Sequence, residues 1–247
     1  MLFRSVAVQK DLRRCRLVKH PDEIRLLKDA AALSDWAIGR YIEQLRPGKI
    51  TAQLDFELAG ETAVEAGRRF PGEDFQILKF LTLCGPASAS PHGDGFQAGS
   101  EVPDNTTAVV ICNVRLNGMS MENQRTFALG KVDSHSRQLM KTALESNQAG
   151  LAAAVAGAPV YSVDAASQSV IAEAGLDEYV LHRTGHGIGV ATHEYPEDMS
   201  TAFRPLMDQE VLVVEPGIYV KGLGGFRYVD AVVVGEKPEV LTRAPKD

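Results

Sequence analysis

Three of the six histidines of this 247-residue chain fall within "HRTGHGIGVATHEYP", residues 182–196. His186 lies between Gly185 and Gly187, and glycine lets a backbone pass close to a ligand while the imidazole points inward. A lone histidine in such a turn is ordinarily a satisfied core residue. Here His193 follows seven residues later, Glu194 is adjacent and Pro196 stiffens the exit, so the pair reads as a built site. Imidazole titrates near neutral pH and suits a general acid or base. Glu215, in "EVLVVEPGIYV", places a carboxylate between an apolar run and a Pro-Gly step. Buried there, it requires a cation or hydrogen-bond donors; the plain alternative is a solvated strand end. His92, in "ASPHGDG", is a loop histidine that means little by itself. Glu122 and Gln124, in "MENQRTF", alternate along a strand and share one face. That face is either a site wall or the wet side of a sheet.

These residues need elements to hold them. "KHPDEIRLLKDAAALSDWAIGRYIEQLRPG" predicts a long helix: Pro21 suits the first turn, Asp22 and Glu23 meet the positive end of the dipole, and Pro47-Gly48 ends it. "TAQLDFELAGETAVEAG" predicts a second helix with Thr51 as its N-cap. "FQILKFLTLCG" reads as a strand, and "TTAVVICNVRLNGMSMENQRTFAL" as two strands turning at Asn117-Gly118, a hairpin signal. The order then repeats. "DSHSRQLMKTALESNQAGLAAAVAG" and "SVDAASQSVIAEAG" predict helices, the second capped by Ser162 and closed by Gly175. Strands follow at "EYVLHR", "QEVLVVEPGIYV" and "FRYVDAVVVG". Each half thus reads helix, helix, strand, hairpin. That predicts two pseudo-repeats, about 20–130 and 131–240, within one domain spanning 1–247. The strands form one sheet and the helices cover one of its faces. "GPASASPHGDGFQAGSEVPDN", 85–105, is the longest irregular stretch, and long loops in compact domains are usually functional.

Bulk composition narrows the function classes. A net charge of -6 argues against nucleic acid, whose phosphates are met by clustered Lys and Arg. The basic run "KDLRRCR" is the local exception and reads as a solvated face. A hydrophobic share of 45% supports a packed core rather than disorder. No apolar run is long enough to span a bilayer, and "MLFRSVAVQKDLRRCRL" lacks the apolar segment of a secretory signal. Cys15, Cys84 and Cys112 are widely spaced and read as reduced, buried thiols of a cytoplasmic protein.

Together, "GPASASPH", "ENQRTF", "TGHGIGVATHEYP", "VVEPGIY" and "GGFRYVDAVVV" resemble the creatinase, prolidase and methionine aminopeptidase superfamily, in this order from about Leu12 to the end. The resemblance implies an α+β, duplicated pita-bread fold, with a central curved sheet and helices on one face. Its aminopeptidases hold two divalent metals with two aspartates, one histidine and two glutamates. Carried over, Asn113 sits near the first aspartate position, Glu122 at the second, His186 at the histidine, Glu215 at the first glutamate and Val229 at the last. A dinuclear site needs several anionic oxygens. Asparagine is neutral and valine has no donor, so the residual set Glu122, His186 and Glu215 implies no cofactor, or at most one weakly held ion. Asp230, one residue on, points to the opposite strand face.

The metal-free, creatinase-like branch is similar in its short hairpin and its "QRTFA" ending. There His92 falls at the position of a catalytic histidine that shuttles a proton between water and the leaving nitrogen. His186 and His193 match further pocket histidines, Glu215 matches a substrate-binding glutamate, and Gln124 replaces a glutamate that pairs with a guanidinium. A neutral amide cannot supply that charge-assisted pairing, so creatine itself is disfavoured. Glu122, Gln124, Glu215 and Arg227 form the expected substrate-binding set. The expectation is a metal-independent hydrolase cutting a C–N bond in a small amide or amidine. The alternatives are a metal-dependent Xaa-Pro-type aminopeptidase with a degenerate site and a non-catalytic domain that binds peptides or proteins. Expected partners are a small molecule or short peptide and, by resemblance, a second copy in a homodimer, with no membrane. The N-terminal domain usual in this branch is expected to be missing.

Overall fold

The computed structural model describes residues 9–93 and 100–246, with side chains from Leu12 onward. The first eight residues of the segment read above for a secretory signal therefore lie outside the described residues, as does the middle of the 85–105 stretch. The first helix, α1 (Gln9–Cys15), carries part of the basic run. It is not merely solvated. Arg13 pairs with Glu197, and Arg16 and Lys19 both pair with Glu194, so the run docks on the histidine-bearing loop. Cys15 is exposed rather than buried, Cys84 is half-buried and Cys112 is buried; all three are free.

α2 (Pro21–Gln44) starts with a capping box in which His20 Nδ1 accepts from Asp22 N–H and Glu23 Oε2 accepts from His20 N–H. α3 (Thr51–Arg69) departs from expectation at its start. Ile50 is its N-cap, and Thr51 is already helical because its N–H donates to Ser100 O at 2.9 Å rather than needing a cap. β1 (Phe75–Cys84) pairs antiparallel with β2 (Thr106–Leu116). The turn at Asn117-Gly118 has φ of 47° and 79°, the hairpin conformation its sequence predicts, and leads into β3 (Met119–Met121). β4 (Gln124–Leu129) resumes the strand against β2 after a break at Glu122-Asn123. At the break the Asn123 side chain donates to Ser34 and Asp35 on α2, at 3.2 and 2.8 Å.

In the second half, α4 (Ser134–Ala153) is capped by Asp133. α5 (Tyr161–Glu173) is not capped by Ser162, whose hydroxyl donates back to Pro159 O at 2.7 Å; Val160 is the N-cap. "EYVLHR" is not a strand. Asp177–Tyr179 is a short 3-10 turn, Leu181 is exposed, and pairing begins only at β5 (Gly185–Gly187), where the chain meets β6 (Val211–Val214). β7 (Gly217–Val220) and β8 (Gly224–Arg227) form a hairpin, and β9 (Asp230–Val233) lies between β6 and β10 (Glu239–Val240).

The expected single sheet is divided. β1 to β4 form one four-stranded sheet, and β10, β9, β6 and β5 form another. β4 joins the halves, since Gln124 and Val229 exchange backbone hydrogen bonds and Thr126 exchanges two with Arg227. The helix order repeats as predicted, with α2 and α3 on β2 and β1, and α4 on β6, β8 and β9. One core spans both halves: Leu27, Ile38 and Leu54 pack with Val110 and Val114 of β2 and with Val213, Val229 and Ala231. No described helix is long and apolar enough to cross a membrane.

Candidate active site

A cavity of about 500 Å³ opens where β1, β2, the break before β4, the 182–193 segment and β8 meet. His92, Asn113, Glu122, Gln124, His193, Glu215 and Arg227 all line it. His186 is fully buried just behind, its ring 4.2 Å from that of His193 and its Nε2 3.5 Å from Glu215 Oε1. The predicted site residues therefore converge. Glu122 and Gln124 are both buried, so that face of the strand is a site wall and not the wet side of a sheet. Glu215 directly follows β6 and is mostly buried, its N–H donating to Thr184 O at 2.6 Å. Asp230 lies apart from the cavity, as its strand position predicts, bonded at 2.7 Å to the buried Arg125.

The glycines of the loop are there for backbone contact. A Cβ on Gly185 would meet Val213 O at 1.9 Å, and one on Gly187 would meet Tyr195 O at 2.5 Å. The chain after Gly187 folds straight back, with Gly187 N–H donating to Pro196 O and Glu194 N–H to Gly187 O. Glu194 then locks the fold-back, accepting from Ala191 N–H, Arg16 and Lys19. His92 is held from the other side, where Ser88 Oγ accepts from Gly225 N–H at 2.7 Å and Lys79 donates to His92 O.

Three ionisable wall residues were not singled out by the sequence reading: Lys79, His182 and Arg183. Lys79 left a signal, a lysine interrupting the apolar run "FQILKFLTLCG". His182 shared the motif but showed no glycine flank. It donates from Nδ1 to Arg183 O (2.7 Å) and accepts at Nε2 from Tyr219 OH (2.6 Å), and that hydroxyl in turn accepts from Arg227 at 3.0 Å.

Burial dominates the electrostatics. It pushes Glu122 up to about 8, helped by the neighbouring Glu215, and Glu215 up to about 7. It lowers His186 to about 3 and His182 to about 4, so both imidazoles stay neutral near pH 7. His92 is exposed and is lowered more mildly, by partial burial and by the charges of Lys79, Arg227 and Arg183. His193 is lowered by partial burial, then by Arg183 and His92.

The profile of metallopeptidase family M24 matches residues 25–236. The chain belongs to this family. It is 29% identical to the Xaa-Pro dipeptidase of Lactobacillus helveticus over 97% of its own length and 64% of that protein's. Among solved structures it is similar to dipeptidase PepE from Mycobacterium ulcerans, with a TM-score of 0.90, 30% identity, and 98% and 63% of the two chains covered. It is also similar to the Xaa-Pro dipeptidase from Bacillus anthracis, with a TM-score of 0.87, 29% identity, and 96% and 64% covered. The α+β pita-bread fold expected from the motifs is thus the fold of this chain. The chain spans less than two thirds of the length of these relatives.

For an M24 member the donor set is unusual. A paired-ion site does not fit, because Val229 is packed in the core and Asn113 is neutral. A single ion does fit. Donor atoms of Glu122, His186 and His193 lie within 4.8 Å of one another. His186 Nδ1 donates to Gly187 O at 2.9 Å, which leaves the Nε2 lone pair free. That atom is buried without a hydrogen-bond partner; Glu215 at 3.5 Å is too far to serve as one.

Proposed function

We propose that this chain is the catalytic part of a hydrolase that cleaves short peptides, of the Xaa-Pro dipeptidase type, and that it works with one divalent ion rather than two. The carrying observation is the convergence of His92, Glu122, His193 and Glu215 on one cavity, with the free Nε2 of His186 directly behind. That convergence speaks against a domain that only binds. The dipeptidase names of the relatives favour a peptide over a guanidino compound, so the peptidase alternative replaces the creatinase-like, metal-independent expectation. The cations Lys79, Arg183 and Arg227 also disfavour a guanidinium in this cavity.

Each residue then has a task. His92, neutral at pH 7, takes a proton from the attacking water and returns it to the leaving nitrogen. Arg227 is pinned by Pro91 O (2.5 Å) and Tyr219 OH (3.0 Å) and presents a fixed guanidinium to a substrate carboxylate. Glu122, His186 and His193 would hold the ion, with Glu215 beside them. When bound, such an ion polarises the scissile carbonyl and lowers the pKa of water.

The test combines ion counting with an assay on dipeptides, Xaa-Pro dipeptides and creatine after loading with Mn²⁺. Expected are about one ion per chain, cleavage of dipeptides, and a fall in kcat of roughly 10²–10⁴ in His92→Ala. Two ions per chain, turnover of creatine alone, or undiminished turnover in His92→Ala would overturn the reading.

A further inference from the structure

Among the described residues, the buried cations Lys19 and Arg125 are paired with carboxylates, and the buried Arg227 is not. Arg125 is bonded to Asp230, Lys19 to Glu194, and Arg204 to Glu210. Lys79, Arg183 and Arg227, which line the candidate site, form no ion pair with any carboxylate among the described residues. Arg227 spends Nη1 on Pro91 O and Tyr219 OH, and its Nε is buried without a partner. Arg183 Nε is likewise buried and unpartnered. Lys79 donates to His92 O at 3.1 Å. These three side chains come from three separate segments, β1, the approach to β5, and β8, so no local sequence constraint explains their convergence.

We propose that this wall selects a substrate with two carboxylates: a short peptide whose leaving residue carries an acidic side chain beside its terminal carboxylate. A zwitterionic dipeptide with a neutral side chain brings one carboxylate and so satisfies one of the three cations. The carboxyls already in the cavity do not make up the difference. With an ion bound, Glu122 is committed to a dication. Without one, two carboxyls face three cations, and neither carboxyl forms an ion pair with any of them. Either way the cavity holds an excess of positive charge, which a zwitterion of zero net charge leaves unchanged, and desolvated opposite charges attract strongly. An acidic side chain supplies the second anion, and the fork of Arg183 and the point charge of Lys79 are suited to receive it.

The bond that is cut rests on the peptidase reading above, whereas the charge preference can be measured apart from it. Calorimetric titration with N-acetyl-glutamate and N-acetyl-glutamine compares two probes of the same shape that differ by one carboxylate. The expected result is binding about tenfold tighter for the glutamate probe. That margin shrinks with added salt, is lost in Lys79→Met and Arg183→Met, and is kept in Lys79→Arg. In parallel, kcat/KM is measured for Ala-Glu against Ala-Gln. Equal affinity for the two probes, or a preference that survives both Met variants, overturns the inference. Dipeptide cleavage with no acidic preference sinks this inference alone. Preferential binding of N-acetyl-glutamate without cleavage of any dipeptide sinks the peptidase reading and leaves the charge selection standing. Lys79 is half-buried at the cavity edge, so its variants keep the test decisive if Arg183→Met fails to fold.

Discussion

At the scale of single residues, the site costs the ion-free protein stability in a pH-dependent way. Glu122 and Glu215 have folded-state values of about 8 and about 7, raised chiefly by burial. An acid raised on folding contributes stability fully present below its unfolded value near 4.5, and that contribution is lost as pH rises through the folded value. The window of loss therefore runs from about pH 4.5 to pH 8. His182 and His186, at about 4 and about 3, act in the opposite direction and cost stability as pH falls below about 6.5. Denaturant titrations of ion-free wild type and Glu122→Gln should differ little at pH 5, and at pH 8.5 the variant should be relatively more stable by roughly 4 kcal/mol. A difference independent of pH would show that the Glu122 carboxyl is not the group being titrated.

At the scale of elements, the glycines of the 182–196 loop are fixed by what lies opposite them. Gly185→Ala drives a methyl into Val213 O on β6, and backbone cannot rotate away. A loss of about 1–3 kcal/mol is expected, read as a lower thermal midpoint. Gly39→Ala on α2, with nothing within 4 Å of the added carbon, is the contrast and should gain about 0.5–1 kcal/mol. Matching shifts for the two would remove the contact explanation. The sequence announced the helices, the Asn117-Gly118 hairpin and the Gly-His-Gly site, because caps, turns and periodicity are local. It misassigned "EYVLHR", where a β-rich composition lies on the surface with no strand to pair with. It also placed caps on Thr51 and Ser162, whose backbones the neighbouring segments had already recruited.

At the scale of the whole molecule, the halves are stitched by buried charge. Arg125, fully buried on β4, donates to Asp230 Oδ1 at 2.7 Å and to Val229 O at 2.9 Å, and Thr242 and Lys246 of the C-terminal segment close on the same carboxylate. Removing one partner leaves an uncompensated charge. Arg125→Met should cost about 3–5 kcal/mol, with much of it restored in the Arg125→Met/Asp230→Leu double variant. Losses that simply add in the double-mutant cycle would mean that the pair is not coupled.

Motif spacing alone carried the family, the pair of helices opening each half, and the seven candidate residues His92, Glu122, Gln124, His186, His193, Glu215 and Arg227. Glycine flanks, apolar runs and strand parity are written into neighbouring positions. Asn113 and Val229 were equally legible as poor ligands, since an amide is neutral and an isopropyl group has no lone pair. Only the tertiary structure decided that Lys79 and Arg183 join the wall, that the basic N-terminal run clamps Glu194, and that His193 swings beside His186. The first two of those facts depend on segments more than a hundred residues apart meeting in space, and no local pattern encodes where a long side chain will find its charge unanswered.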